Sequence, residues 1–544
     1  YQCDWSSDVC SSDLQPEILR YLNFVADRFQ LRPDIVFKTR MTSALFDSAH
    51  NQWHVRTDTG HHYVARFLIT GVGCLSSANV PNIPGRDDFQ GQWYHTGQWP
   101  HEGVDFTGKR VGVVGTGSTG IQAIPVITAQ AQHVTVFQRT ANYSIPARNQ
   151  PLTEEFKRFA KEQADGIRHI MNTNTNAHPF RMAPRKVLDT HPAERQALME
   201  AAWLKGGLEF RAAFNDTLLS AEANQVVADF VRQKIRSIVQ NPKTADMLSD
   251  IDHPFAAKRP PVDSQYFETY NLDHVDLVNI RETPIEKITA KGIKTKNHDY
   301  PLDIIVFATG FDAMTGSLLK IDIQGREGLA LKDAWYAGPR NYLGLQVPGF
   351  PNMFTVTGPG SPSVLCNMPP AIEHHVDWIT HCIKDMREKG IARIEAQEKA
   401  ADEWVLEVNH AANSTLLPRT SATSLLPTSS RRPTPTRSSV PSTKAQTTAR
   451  KARRKSIASA PQKSSPSTAI VGTPNTPAWM ASSVFLRRVS LTSGEASAPW
   501  STPSSLHRTA NRAGSTGSAP VVHRESKIVW TAFGEEPQAM ASRR

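Results

Sequence analysis

Residues 110–120 read Arg-Val-Gly-Val-Val-Gly-Thr-Gly-Ser-Thr-Gly, an apolar run that leads directly into three glycines at fixed spacing. The run predicts a buried strand, the residues from Ile121 to Ala129 predict a helix, and those from His133 to Phe137 predict a second strand. Such a turn brings the pyrophosphate of a dinucleotide to the helix N-terminus. Residues 109–139 therefore predict a dinucleotide-binding βαβ unit, with contacts expected from Gly115, Thr116, Gly117, Ser118, Thr119, Gly120 and Gln122.

The residues at the end of the second strand indicate which dinucleotide binds. An NAD site carries Asp or Glu there for the ribose hydroxyl, but this chain has Gln138, Arg139 and Thr140. A carboxylate would repel a 2′-phosphate, whereas a guanidinium can hold it through paired hydrogen bonds. The sequence therefore predicts NADPH, with Arg139 and Thr140 in the cofactor site.

The surrounding sequence is typical of a folded α/β protein. Ile18, Leu22, Val25 and Phe29 follow helical spacing and predict an amphipathic helix over 16–30 whose apolar face serves packing. Residues 41–71 predict a small antiparallel meander that ends in a buried strand, and residues 300–310 predict one continuous buried strand. Residues 151–250 are rich in helix-favouring residues and predict a helical insertion.

The net charge of +10 is distributed unevenly along the 544 residues. From Arg419 onward there are 19 Lys and Arg against 4 Asp and Glu, which leaves 42 against 47 in the mildly acidic part before it. The basic tail is rich in Ser, Thr, Pro and Ala and is predicted to be disordered. Three explanations stay open: a basic arm for nucleic acid or anionic membrane, a frameshift, and a linker without function. The cluster from Arg450 to Lys455 has no interleaved aromatic residue, which argues against nucleic acid.

Three features of the sequence indicate the cellular compartment: the start of the chain, the cysteines and the hydropathy. Residues 1–14 repeat Ser-Ser-Asp and resemble translated adaptor DNA, so they are excluded from the fold. The five cysteines are too scattered for a disulfide framework or a zinc site, so reduced thiols and no metal are expected. No stretch has the length of a membrane span or the layout of a secretory signal, and the expected location is the cytoplasm.

A second motif precedes the nucleotide turn. Residues 89–100 read Phe-Gln-Gly-Gln-Trp-Tyr-His-Thr-Gly-Gln-Trp-Pro and fit the pattern FxGxxxHxxxWP through Phe89, Gly91, His95, Trp99 and Pro100. In this respect the chain resembles the Baeyer-Villiger monooxygenases, the class that includes cyclohexanone and phenylacetone monooxygenases. The ending in Trp and Pro favours this family over the related flavin-containing and N-hydroxylating monooxygenases. His95 is expected to hydrogen-bond within the linker between two domains rather than to transfer protons.

The resemblance extends over residues 15–418 and implies an α/β flavoprotein with Rossmann-like FAD and NADP domains. It implies an FAD-domain remnant over 15–74, an NADP domain over 75–311 with the helical insertion, an FAD-domain return segment over 312–418, and the tail over 419–544. Ala308, Thr309 and Gly310 match the segment in which the family's chain crosses back to the FAD domain. Residues 358–363, Gly-Pro-Gly-Ser-Pro-Ser, and the later Met368 match the family's late FAD-contacting stretch.

The resemblance also implies a reaction. In this family NADPH reduces FAD, O2 gives a peroxyflavin, and the peroxide inserts one oxygen atom into a ketone to form an ester or lactone. A fixed cation stabilises the charge that develops. The pair Lys258-Arg259 matches the position of the family's active-site arginine, so Arg259 is the predicted catalytic residue and Lys258 is expected near the NADP phosphate.

Departures from the family pattern set the expectation for this polypeptide. No glycine precedes Gly60, so the FAD fingerprint that opens the family's sequences and the carboxylate that partners the active-site arginine are both missing. Cys74 stands where relatives carry an amide. The polypeptide is therefore expected to bind FAD poorly and to turn over little. Two other functions stay open: an N- or S-oxidising flavin monooxygenase, and an NADPH-binding remnant with a nucleic-acid-binding tail.

Overall fold

The computed structural model describes residues 14–174, 176–361 and 366–419. The adaptor-like start up to residue 13 and the basic tail beyond Arg419 lie outside the described residues. The strands are β1 (Met41–Asp47), β2 (Gln52–Thr57), β3 (His62–Ala65), β4 (Leu68–Thr70), β5 (Gln92–His95), β6 (Arg110–Val114), β7 (His133–Gln138), β8 (Ile145–Pro146), β9 (Val262–Asp263), β10 (Val275–Asn279), β11 (Ile285–Thr289), β12 (Gly292–Thr295), β13 (Asp299–Pro301), β14 (Ile304–Phe307), β15 (Asp322–Gln324) and β16 (Met353–Thr355). The α-helices are α1 (Leu14–Arg28), α2 (Ser118–Thr128), α3 (Glu154–Glu162), α4 (Ala164–Thr173), α5 (Pro192–Lys205), α6 (Ala221–Ile238), α7 (Pro242–Ser249), α8 (Tyr266–Thr269), α9 (Gly316–Leu319), α10 (Leu331–Ala334), α11 (Met368–Glu388) and α12 (Glu398–Asn413).

A five-stranded parallel sheet, in the order β10-β7-β6-β14-β5, contains the nucleotide turn. Its βαβ unit is β6, α2 and β7, as the sequence predicts. The strands β6 and β14 are buried at nearly every position, because parallel sheets are covered on both faces. In a parallel sheet all carboxyl ends meet at one edge, so the loops after β6, β7, β10 and β14 lie close together.

The predicted continuous strand over 300–310 is wrong in one respect, because the chain forms two strands in two sheets. β13 pairs antiparallel with β12 in a small sheet, whereas β14 lies between β6 and β5 in the parallel sheet. The break falls at Leu302 and Asp303. Leu302 is buried against Gly112, and the Asp303 carboxylate accepts hydrogen bonds from the backbone and the guanidinium of Arg110 at 2.7–3.1 Å. An apolar run with one acid in it does not reveal such a change of sheet.

The meander predicted over 41–71 is present as β1, β2 and β3, with β15 parallel to β1 on the other side. Trp53 on β2 is fully buried, and its indole N–H donates to the backbone oxygen of Pro351 at 2.9 Å. The chain then leaves this sheet, and β4 pairs in parallel with β16. The turns that follow β4 and β16 are both rich in glycine, so they form a second meeting point of carboxyl ends.

The segment between β8 and β9 is helical and includes α3 to α7. Its aromatic residues Trp203, Phe210, Phe230 and Phe255 are buried together, with ring centroids 5.7–6.1 Å apart. They join the same hydrophobic core as the apolar residues of β6, β7 and α2. The insertion is therefore fixed on the parallel sheet. The domain boundaries inferred from the sequence stay a prediction.

The helix predicted over 16–30 is present as α1, and the described residues cover its predicted apolar face only in part. Ile18 and Val25 are partly buried, whereas Leu22 is 56% exposed and Phe29 is 68% exposed. The prediction that this face packs is therefore met only in part within the part of the chain that the structure describes. No helix of the described residues is long and apolar enough to cross a membrane.

Candidate functional site

The glycines of the nucleotide turn have different structural requirements. Gly115 has φ +110°, and a Cβ there would lie 2.5 Å from the backbone oxygen of Ala308. A Cβ on Gly120 would lie 2.3 Å from the backbone oxygen of Gly115, so both positions require glycine. A Cβ on Gly117 would meet nothing within 4 Å. The turn is thus tightly packed on its inner side and open at Gly117, where a pyrophosphate would approach.

The N-terminus of α2 is suited to an anion. Gly117 is its N-cap and supplies no side-chain hydrogen bond, so a bound phosphate could accept from the first backbone N–H groups. Ser118 is partly exposed and Thr119 is exposed beside this end. The buried hydroxyl of Thr116 instead donates to the backbone oxygen of Thr140 at 2.8 Å, which ties the turn to the end of β7. Gln122 donates to the backbone oxygen of Val262 at 2.8 Å, so its amide N–H is used within the protein.

Three basic side chains gather at the carboxyl ends of β7 and β10. Burial lowers the pKa of Lys258, Asp252 opposes this shift, and the charges of Arg139 and Arg281 add to the lowering. Arg281 also donates to the Thr140 hydroxyl at 3.0 Å and forms an ion pair with Asp252. The site therefore fits a 2′-phosphate, which would receive charge and hydrogen bonds from this group. Arg281 was not foreseen; its place two residues after β10, next to β7, was the available signal.

Two crossing segments, residues 74–79 and 308–314, run side by side. The backbone N–H of Asn79 donates to Gly310 at 3.0 Å, and the Thr309 hydroxyl donates to the backbone oxygen of Asn79 at 2.7 Å. The N–H of Ala308 donates to Val114 at 2.9 Å, directly beside the nucleotide turn. Further along, Met314 donates to the backbone oxygen of Cys74. Ala308, Thr309 and Gly310 thus join the turn to the first crossing segment.

The fingerprint residues support this junction. β5 pairs with β14 so that His95 lies opposite Phe307, and a Cβ on Gly91 would lie 2.4 Å from the backbone oxygen of Asp303. Phe89 is buried. The ring of Trp99 lies between those of Tyr94 and Phe106, with centroid distances of 5.8 and 6.2 Å respectively. Pro100 follows at the end of the motif. The motif therefore fixes the edge strand at the crossing segments.

His95 is almost fully buried at this junction. Its Nδ1 accepts from the backbone N–H of Gly97 at 3.0 Å, and its ring meets Phe311 edge to face at 6.2 Å. Burial lowers the pKa of His95, and the backbone groups of Gly310 and Asn79 act in the opposite direction. These neighbours are the two crossing segments, which fits the linker role expected for it.

The charge of Arg259 acts on other groups than those that surround Lys258. Burial raises the pKa of the Cys366 thiol to about 11, and the charge of Arg259 opposes this shift while Cys74 adds to it. The charge of Arg259 also helps to lower the pKa of the buried His178, after burial and the charge of Arg211. Arg259 is therefore brought close to the first crossing segment and to the start of α11, whereas its neighbour Lys258 faces Arg139 and Arg281.

The loop that carries Arg259 is held by a buried amide. Asn224 on α6 donates to the backbone oxygen of Phe255 at 2.9 Å and accepts from its N–H at 2.8 Å. The next residue, Ala256, has φ +61°, a strained conformation for a residue other than glycine. Such a conformation persists because the surroundings fix it. No pattern in the sequence indicates this role of Asn224.

The turn after β16 leads to α11. Gly360 has φ +83°, and its backbone oxygen accepts from the indole of Trp404 at 2.9 Å. Residues 362–365 lie outside the described residues, and Met368 begins α11. Nearby, Asn341 and Gln346 are buried with side-chain atoms that have no hydrogen-bond partner among the described residues. Unpaired buried amides beside a glycine-rich turn fit a polar ligand such as FAD.

The comparisons with known proteins agree with this geometry. The family described as "Pyridine nucleotide-disulphide oxidoreductase" matches residues 9–180. A Baeyer-Villiger monooxygenase from Pseudooceanicola batsensis is 41% identical over 408 residues, which cover 74% of either chain. The chain belongs to the Baeyer-Villiger monooxygenase family. The family resemblance drawn from residues 89–100 is thus confirmed.

Other relatives and a solved structure extend the comparison. Cyclohexanone 1,2-monooxygenase from Acinetobacter sp. is 41% identical, and phenazine N-monooxygenase from Lysobacter antibioticus is 42% identical, each over 74% of both chains. The crystal structure of OTEMO in complex with FAD and NADP has a TM-score of 0.73 at 42% identity and covers 75% of this chain and 78% of that chain. The predicted fold class of a Baeyer-Villiger flavoprotein is confirmed.

Proposed function

We propose that this protein is an NADPH- and FAD-dependent monooxygenase that inserts one oxygen atom of O2 into a ketone and forms an ester or a lactone. The observation that carries this proposal is the junction at which the nucleotide turn, both crossing segments and the fingerprint meet. The related cyclohexanone 1,2-monooxygenase is named for a small cyclic ketone, which supports a ketone as the substrate.

The nucleotide would be held at two places: the glycine turn of residues 115–120, and the three basic side chains at the carboxyl ends of β7 and β10. The backbone of Gly117 and the N-terminus of α2 would bind the pyrophosphate, with the exposed Thr119 beside it. Arg139, Arg281 and Lys258 would surround the 2′-phosphate, and a guanidinium offers planar donors that match phosphate oxygens. This arrangement supports NADPH rather than NADH.

FAD would lie at the second meeting point of carboxyl ends, between the turns after β4 and β16. Asn341 and Gln346 would supply amide groups there, and Met368 lies at the start of the following helix. When bound, the flavin accepts hydride from NADPH and activates O2. The GxGxxG fingerprint at Gly115 is thus assigned to the nicotinamide dinucleotide, and the turns after β4 and β16 to FAD.

Arg259 would supply the positive charge at the reacting centre. A guanidinium stays charged at every working pH, and its fixed donors can stabilise an oxygen that gains negative charge. The clamp of Asn224 on Phe255 holds the loop, so the charge is positioned before the reaction begins. This preorganisation is what makes such a charge effective.

The test combines turnover with product identification. The purified chain is supplied with FAD, and ketone-dependent NADPH oxidation is measured together with ester formation by mass spectrometry. Slow ester formation is expected when FAD is in excess, and Arg259→Ala should lower its rate at least about 100-fold, the range found when one charge-stabilising group is removed. Arg195→Ala, at an arginine that donates to the backbone oxygen of Val187 in the insertion, is the matched control. NADPH oxidation without ester at full FAD occupancy would contradict the proposal.

A second candidate function is N- or S-oxidation. It is favoured by the 42% identity to phenazine N-monooxygenase. The same enzyme preparation is assayed with tertiary amines and sulfides at matched concentrations. Faster N-oxide or sulfoxide formation than ester formation would replace the first proposal. The third possibility, nucleic-acid binding by the basic tail, is tested by salt-dependent DNA retention of the full chain, since phosphate contacts weaken steeply with salt.

A further inference from the structure

His178 lies in a loop that is organised by one polar side chain. The loop joins α4 to α5, and the Asn174 amide oxygen accepts from the N–H groups of Asn176 and His178 at 3.0 and 3.2 Å. The amide N–H of Asn174 donates to the backbone oxygens of His178 and Phe180. The backbone on both sides of His178 is thereby fixed, and its ring is held by a stack on Phe180.

The same loop is bound to the start of α11. The N–H of Asn367 donates to the backbone oxygen of Asn176 at 2.8 Å, and its amide donates to Ala177 at 3.2 Å. Asn367 directly follows Cys366, whose thiol is within the influence of Arg259. The loop that carries His178 therefore joins the insertion to the segment that leads to the predicted FAD contacts.

The imidazole of His178 is buried and has no hydrogen-bond partner in the part of the chain that the structure describes. The residue is 5% exposed and its ring stacks on Phe180 with centroids 5.0 Å apart, yet neither ring nitrogen has a hydrogen-bond partner among the described residues. His375 is equally buried, but its Nδ1 accepts from the N–H of Thr357 at 3.0 Å. An unpaired buried polar group costs roughly 1–3 kcal/mol, so His178 calls for an explanation that His375 does not.

The surroundings keep this imidazole neutral. Burial lowers the pKa of His178 to about 4, and the charges of Arg211 and Arg259 act in the same direction. A neutral imidazole offers one N–H donor and one acceptor nitrogen. The N–H of this neutral ring has no acceptor among the described residues, and a ligand oxygen that accepts a hydrogen bond would supply one.

We propose that His178 donates a hydrogen bond to the carbonyl oxygen of a small molecule bound beside Arg259. This inference rests on the proposed function and extends it to a specificity-determining residue. A carbonyl fits because it accepts from an imidazole N–H and an arginine together. Two molecules of that function present one: the ketone substrate and the carboxamide of the nicotinamide.

The test follows the imidazole directly. Nitrogen NMR is recorded on the full chain with labelled histidine at pH 7.5, and His178→Phe, which retains ring stacking on Phe180, identifies the resonance. Cyclohexanone alone and NADP+ alone are then titrated. We expect one of them to shift the His178 resonance, and which one does so identifies the source of the carbonyl. His169→Gln, at an exposed histidine of α4, is the matched control.

Affinity gives the second readout. His178→Phe should weaken binding of the active titrant about 3- to 10-fold, the range for one neutral hydrogen bond, while His178→Gln should restore part of it. If neither compound shifts the resonance, or if His178→Phe binds and turns over ketone like the wild type, the inference is overturned. A shifted resonance in a chain that forms no ester would support the inference and defeat the proposed function.

Discussion

Single backbone positions control the nucleotide turn in opposite ways. Gly115 and Gly120 face the backbone of neighbouring segments, so any side chain there must displace main-chain atoms. Gly117 faces open space and has φ −81°, which any residue adopts. One glycine motif therefore combines positions required by the fold with a position that matters only for the ligand.

The first prediction separates these two requirements. Gly120→Ala should lower the free energy of unfolding by about 1–3 kcal/mol, because its Cβ would lie 2.3 Å from the backbone oxygen of Gly115. Gly117→Ala should leave stability within about 0.5 kcal/mol but weaken NADP+ binding at least about 10-fold, because a methyl group would occupy the approach of the pyrophosphate. Urea unfolding and calorimetric titration measure both quantities. Equal NADP+ affinity of Gly117→Ala and the wild type would remove the turn from the cofactor site.

The second prediction concerns the choice of nucleotide. Arg281→Met removes the guanidinium that donates to Thr140 and retains much of the side-chain volume. NADPH affinity should fall about 10-fold through loss of a charge-assisted hydrogen bond, whereas NADH affinity should stay unchanged. Arg236→Met, at an exposed arginine of α6, serves as the control. A parallel loss for both nucleotides would assign Arg281 to structure instead of phosphate binding.

At the scale of elements, the Asp303 carboxylate anchors the pairing of β6 with β14. Asp303 accepts three hydrogen bonds from Arg110 at the point where β14 enters the parallel sheet. These bonds hold the pKa of Asp303 at about 2, since the guanidinium favours the ionised carboxylate. The contact also ends the apolar run that the sequence presents as one strand, so the register of β14 depends on it.

The third prediction tests this anchor. The folded-state pKa of Asp303 is depressed below its ordinary value of 3.8, so its stabilisation is present above pH 3.8 and is lost as the pH falls through about 2. Both side chains are more than a third exposed, which limits the contribution to about 1 kcal/mol. Asp303→Asn should lose that amount at pH 7 and nothing near pH 2, by denaturant unfolding. Asp299→Asn, at an exposed acid of β13, should show no difference at either pH; an equal effect of both variants would contradict the anchor.

For the whole molecule, buried histidines outweigh the buried acid in the response to pH. Burial lowers the pKa of His178 and His375 to about 4, and it raises the pKa of Asp263, which accepts from Ser144 and Tyr266, to about 6. Between pH 6.5 and 4, His178 and His375 bind protons in the unfolded chain but stay neutral in the folded protein. The free energy of unfolding therefore falls as the pH is lowered. Asp263 acts in the opposite direction between pH 6 and 3.8, but it is one group against these two, and burial lowers the pKa of His95 and His253 in the same direction as theirs.

The fourth prediction follows from that balance. The free energy of unfolding should decrease by on the order of 3 kcal/mol as the pH falls from 6.5 to 4, since each histidine contributes roughly 3 kcal/mol and Asp263 offsets one of them. Denaturant titrations at several pH values measure the decrease. His178→Phe should remove most of the net decrease, whereas His169→Gln should not. A stability that stays level or rises as the pH falls over this range would contradict the lowered pKa of these histidines.

The sequence by itself determined the local elements and the family. The glycine turn, the strands beside it, the helical insertion and the motif from Phe89 to Pro100 are patterns of neighbouring residues, and the backbone physics that fixes them acts over a few positions. Arg139 was named from its place at the end of the second strand, whereas Lys258 and Arg259 were named because they match a pair in the family that the chain resembles.

Only the tertiary structure decided which distant residues meet. It placed Arg281 beside Thr140, exposed Lys258 and Arg259 to different titratable neighbours, and clamped Phe255 with Asn224. It also left the buried imidazole of His178 without a hydrogen-bond partner among the described residues. It also divided the run over 300–310 between two sheets. These outcomes depend on how buried side chains fill space and satisfy hydrogen bonds across the fold, and no spacing along the chain encodes them.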